Sequence, residues 1–154
     1  QRVWDVLVQG NDENGPLGHG WTYSAHPIGA AAGVANLKLV DELGLVANAA
    51  EVGPYLTARM EEALGAHAHV GEVRGIGMLT AVELVQDRSG PVFFDNPGAA
   101  AGKVVAAMGR RGVIARAMPQ GDILGFAPPL CLSRAEADRI VTATSEAVGE
   151  VFGA

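Results

Sequence analysis

Apolar residues recur along this chain in two rhythms, one helical and one of short extended blocks. Val52, Tyr55, Leu56 and Met60 share one face of a helix predicted over 46–64, with Arg59, Glu61 and Glu62 outward. Gly53-Pro54 predicts a kink in its middle, because proline removes a donor and crowds the preceding turn. Residues 27–43 predict another helix, with Pro27 suited to the first turn and Gly44 placed where a glycine ends helices. Its interior (Ile28, Ala30, Ala31, Val34, Leu37, Leu39) is small or apolar on nearly every side, which predicts burial. A third helix is expected over 97–110, closed by Arg111-Gly112. Ser133 and Glu136 form a capping box for a last helix, with Ile140, Val141, Thr144 and Val148 as its inner stripe. Residues 73–85 predict one strand, bent or bulged at Gly75 and Gly77. Shorter strands are expected at 113–116 and 123–126. Residues 2–9 predict a helical turn and 10–20 (GNDENGPLGHG) a loop. Helices mixed with strands, without a regular strand–helix–strand alternation, predict an α+β fold.

Composition narrows the function. The chain has 154 residues, 49% of them hydrophobic and only 18% charged, as expected of an ordered globular domain. A net charge of −6 argues against a nucleic-acid partner, which needs clustered cations. Charges and glycines interrupt every apolar run before it is long enough to span a membrane. The single cysteine, Cys131, and the lack of an export signal predict a reducing, cytoplasmic location. Gln1 leads directly into Arg2-Val3-Trp4 with no initiator methionine, so the chain is expected to be part of something longer.

Several candidate chemistries fall away. His67 and His69 have only Glu72 nearby, too few ligands for zinc, and no metal is expected. Cys131 lies in Pro-Pro-Leu-Cys-Leu, which reads as a buried strand. Gly75-Ile76-Gly77 lacks the third glycine of a dinucleotide fingerprint. Two segments remain. His19-Gly20-Trp21-Thr22-Tyr23-Ser24-Ala25-His26-Pro27 is a hydroxyl-rich loop before a helix N-terminus. It suits a phosphate, although on the residues alone the commoner use of Thr22 or Ser24 is merely to cap the helix. In Arg116-Ala117-Met118-Pro119-Gln120-Gly121-Asp122, the strand-end arginine can fork onto a carboxylate or pair with Asp122.

HGWTYSAHP at 19–27, VGEVRGIGM at 70–78 with AVEL at 81–84, GVIAR at 112–116, GD at 121–122 and APPL at 127–130 together resemble one family in colinear order. It is the class III, pyridoxal-phosphate-dependent aminotransferases of fold type I, closest to the omega-amino-acid:pyruvate branch. The resemblance implies a C-terminal portion: residues 1–45 as a remnant of the large cofactor-binding domain, and 46–154 as the small domain. That domain is expected to have a short, mainly antiparallel sheet packed by helices. The resemblance places Thr22 on the cofactor phosphate of a neighbouring subunit, with Trp21 alongside, and Arg116 on the substrate carboxylate. Where this chain has Ala25, the family more often has glycine. The family joins the cofactor to a lysine that precedes this region. Lys38 and Lys103, the only lysines present, sit inside predicted helices. No catalytic residue is therefore expected in the chain, and alone it is expected to be inactive. The implied full-length enzyme is a homodimer or tetramer moving an amino group between an amine or amino acid and a keto acid such as pyruvate. The alternative is a free-standing α+β binding, regulatory or dimerisation module derived from such an enzyme.

Overall fold

The computed structural model describes residues 1–16, 18, 20–90 and 92–153, which form two compact units, Gln1–Lys38 and Leu39–Ala154. The first holds α1 (Arg2–Asn14) and most of α2 (Pro27–Glu42). Helix α1 outruns the predicted single turn. Side-chain bonds Gln1–Asp5 and Gln9–Glu13, each 2.9 Å, carry it through Gly10, and it stops at Gly15, where φ is +82°. The predicted loop therefore begins at Gly15. Asn and Asp cost a started helix only tenths of a kcal/mol each, about 0.7 at most, so composition alone did not end it. Helix α2 has the expected bounds but no buried residue, and Ile28 and Leu37 are 75% and 69% exposed. Small side chains permit close packing without supplying a partner, so the expected burial is absent.

The second unit is a four-stranded antiparallel sheet with three helices: α3 (Leu45–Leu64), β1 (Val70–Ile76), β2 (Leu79–Leu84), α4 (Ala99–Arg110), β3 (Arg116–Ala117), β4 (Ile123–Phe126) and α5 (Arg134–Phe152). The strand order is β1-β2-β4-β3. This is the α+β arrangement expected, a short antiparallel sheet packed by helices. Val82 and Leu84 of β2 and Leu124 and Phe126 of β4 point to one face. There they meet Leu56, Met60 and Leu64 of α3, Val104 and Met108 of α4, and Val141 and Val148 of α5. Ser133 caps α5 as predicted: its Oγ accepts from Glu136 N–H at 3.3 Å, while Glu136 Oε2 accepts from Ser133 N–H at 2.9 Å.

Three predicted elements differ. Residues 73–85 are two strands, not one bent strand: the pair Ile76↔Leu79 leaves a Gly77-Met78 turn, with Gly77 at φ +52°. The glycines serve contact as well as turning. A Cβ on Gly53 would lie 2.0 Å from Gly77 O, and one on Gly75 would lie 2.5 Å from Thr57 Oγ1, so α3 lies directly on the hairpin. The strand predicted at 113–116 shrinks to Arg116–Ala117, because Val113 N–H turns back to Met108 O at 3.1 Å and finishes the helix end. The Pro128–Leu132 segment is a turn and not a buried strand. Leu132 N–H bonds Pro129 O at 2.9 Å, and Asn48 Nδ2 donates to Leu130 O at 2.7 Å and Leu132 O at 3.0 Å. Cys131 is consequently exposed.

Candidate functional site

In the first unit, residues 21–24 fold into a turn just before α2. Ser24 N–H donates to Trp21 O at 2.8 Å, and Trp21 N–H donates to Ser24 Oγ at 2.9 Å. Ser24 thus closes the turn rather than capping α2. Thr22 and Trp21 are both exposed, and no bond is formed by the Thr22 hydroxyl among the described residues. Ala25 follows at φ +59°, the left-handed region, and is the only non-glycine residue there among those described. His26 N–H bonds Tyr23 O at 3.2 Å, and Ala30 N–H bonds His26 O at 2.9 Å, starting the helix. The first amides of any helix lack intrahelical partners and carry a partial positive charge. A free hydroxyl donor at this end of α2 suits a phosphate. His19, the first residue of the motif, lies outside the described residues.

In the second unit, the sheet face away from the helices is open. The register aligns Arg74↔Ala81 across β1 and β2, Ala81↔Gly125 across β2 and β4, and Arg116↔Gly125 across β3 and β4. One row therefore crosses the sheet with an arginine at each end and two small residues between. Above it lies a groove of about 950 Å³, walled by Ile76, Leu79, Ile114, Met118 and Ile123. The two arginines differ in state. Arg74 Nη1 is held by Glu83 Oε2 at 2.6 Å and Glu72 Oε2 at 2.7 Å, and the Glu83 bond leads in raising its pKa. Arg116 is exposed, and its guanidinium forms no hydrogen bond or ion pair among the described residues. An unneutralised guanidinium at the rim of an apolar groove is a ready receiver for a carboxylate, which its planar fork can bind through two parallel bonds.

Asp122 does not pair with Arg116. It is buried at 5% exposure, accepting from Gly98 N–H at 3.0 Å and Ala101 N–H at 2.8 Å at the start of α4. His67 and His69 are held in the fold: His67 Nε2 lies 3.1 Å from Gly153 O, His69 Nδ1 lies 3.1 Å from Val85 O, and the His69 ring stacks on Phe152 at 4.7 Å. Lys38 and Lys103 are exposed on α2 and α4. No helix is long and apolar enough to cross a membrane among the described residues.

The family model for aminotransferase class-III matches residues 5–148. A diaminobutyrate–2-oxoglutarate transaminase of Halomonas elongata is 52% identical over 99% of this chain and 33% of its own length. A putrescine–pyruvate aminotransferase of Pseudomonas aeruginosa is 33% identical, again over 99% of this chain and 33% of its own. A solved transaminase from work on directed evolution by ancestral reconstruction superposes with a TM-score of 0.92 at 54% identity, over 98% of this chain and 33% of that one. The chain spans about a third of the length of the curated relatives it matches.

Proposed function

This chain belongs to the class-III aminotransferases, and from that premise we propose that the full-length protein moves an amino group from an amine or omega-amino acid to a keto acid. Pyridoxal phosphate supplies the electron sink and the amino carrier when bound. Thr22 donates its hydroxyl to the cofactor phosphate, assisted by the amides at the start of α2, with Trp21 beside it. As the resemblance implies, that phosphate belongs to a neighbouring subunit of a dimer or tetramer. The lysine that carries the cofactor lies outside this chain, which is inactive alone. Arg116 receives the keto-acid carboxylate.

The observation that carries the reading is Arg116, a strand-end guanidinium with no partner on an open groove. A transaminase admits two substrates in turn at one site. A keto acid such as pyruvate needs a cation, whereas an apolar amine needs that cation moved aside. An exposed arginine free of ion pairs can meet both demands, and Arg74, clamped by two carboxylates, cannot.

The test resolves the two half-reactions of the full-length protein by cofactor absorbance. Arg116→Ala is expected to lower kcat/KM for pyruvate by about ten- to a hundredfold, the worth of a charged hydrogen bond at roughly 1.5–3 kcal/mol. The half-reaction with a carboxylate-free amine should change far less, and Arg116→Lys should recover only part of the loss. Equal damage to both half-reactions would make Arg116 a residue of the fold.

A further inference from the structure

The segment that presents Arg116 is anchored at its far end by a buried carboxylate. Arg116 leaves the sheet at Ala117, and Met118 N–H bonds Ile123 O at 2.9 Å to close the turn. Gly121, at φ +77°, delivers the chain to Asp122. The three acceptors of Asp122 are then engaged by two other elements, β2 and α4. Its backbone oxygen takes Leu84 N–H of β2 at 2.8 Å. Its Oδ2 takes Gly98 N–H at 3.0 Å and its Oδ1 takes Ala101 N–H at 2.8 Å, both at the N-terminus of α4. The N-cap residue Gly98 has no side chain, so α4 borrows its capping group from the hairpin. A carboxylate at this end of a helix satisfies orphan amides and opposes the helix dipole. The bond between hairpin and helix is thus electrostatic, two-pronged and shielded from water.

We propose that Asp122 is a positioning residue for Arg116: by capping α4 from the β3–β4 hairpin, it fixes the base from which the arginine swings. The inference rests on the reading of Arg116 as the carboxylate receiver. Asp122 touches no substrate. It sets where the short strand Arg116–Ala117 lies against Leu124 and Gly125, and hence where the guanidinium reaches. A displacement of about 1 Å at a binding group can cost on the order of a hundredfold in rate, so a loosened hairpin has a measurable effect without any lost contact to the ligand. Asparagine keeps the shape of Asp122 but turns an amino group toward one of the two N–H donors, which removes that bond and the charge together.

The experiment compares Asp122→Asn with Arg116→Ala in the full-length protein, with half-reactions measured separately and unfolding temperature recorded. Val141→Ala, a core change in α5 that removes no hydrogen bond of Asp122, supplies a control for lost stability. Asp122→Asn is expected to raise KM for pyruvate by about three- to tenfold and to leave the carboxylate-free amine half-reaction within about twofold. Combined with Arg116→Ala it should add almost nothing, because the positioned group is already gone. Val141→Ala should leave both half-reactions alike. Asp122→Ser, which can still accept one amide, carries the same comparison should the asparagine variant not fold. If Arg116→Ala is selective for the keto acid while the Asp122 variants slow both half-reactions equally, Asp122 is only structural and this proposal is overturned. If Arg116→Ala itself shows no selectivity, the reading of Arg116 fails first, and the two failures are told apart.

Discussion

Ala25 is held at φ +59° in the turn before α2. A left-handed conformation costs an L-residue about 1–2 kcal/mol, and glycine avoids that cost while losing about 0.5–1 kcal/mol more than alanine in backbone entropy on folding. Ala25→Gly should therefore stabilise the protein by up to about 1 kcal/mol, read from chemical denaturation. A clear loss of stability would mean that the turn is not under strain. Alanine in place of the family's usual glycine was visible in the sequence, but its meaning needed the backbone angle. Thr22, three residues earlier, gives a second residue-level test. Thr22→Ala in the full-length protein should weaken cofactor retention by about ten- to a hundredfold, and Thr22→Ser should restore it, because the hydroxyl and not the methyl is used. Unchanged retention in the alanine variant would leave Thr22 a turn residue. Arg116 stood out beside its Pro/Gly turn, but the residues alone left it between a carboxylate and Asp122, and only the family resemblance assigned it the substrate carboxylate. Asp122 was not legible, because the amides it holds are 21 and 24 residues away and no local pattern announces a cap given from another strand.

Elements were readable where their signals were local. The Ser133–Glu136 capping box opens α5 as predicted, since both partners lie within one turn. That box also sets a pH dependence. The Ser133 backbone N–H, then its hydroxyl, donates to Glu136 and holds its carboxyl below the usual value of 4.5. A lowered folded-state pKa contributes stability that is complete above the ordinary range and is lost as pH falls through the lowered value. Glu136→Gln should therefore flatten the acid side of the unfolding-temperature profile, between about pH 5 and pH 2, while changing it little near neutrality. An unchanged acid limb would show that the carboxylate is not better bound in the folded state. Elements that depend on distant chain were misread. The β1–β2 hairpin looked like one strand because Gly75 and Gly77 suggest a bend as easily as a reversal. Gly75 is glycine because a Cβ there would meet Thr57 of α3, and Gly77 because the turn holds it at φ +52°, neither of which sequence spacing reveals. The exposure of α2 was hidden for the converse reason: an all-round apolar helix says what it can pack against, not whether the partner is present.

At the scale of the whole molecule, the second unit carries an open sheet face with an unpartnered arginine, and the first carries a free hydroxyl at a helix start. The α+β class was legible because turn glycines, a capping box and two apolar rhythms agreed with one another, whereas the antiparallel sheet was expected only from the family resemblance. The aminotransferase reading joins the two features into one activity, in which the guanidinium of Arg116 is the element that switches between substrates. Chemical rescue tests that claim most directly. In the full-length Arg116→Ala protein, guanidinium ion at millimolar concentration should restore, in a saturable way, part of the lost rate with pyruvate, and should leave the half-reaction with a carboxylate-free amine unchanged. Loss of the keto-acid half-reaction with no rescue, or rescue of both half-reactions alike, would contradict the assignment of Arg116 as the receiver of the substrate carboxylate.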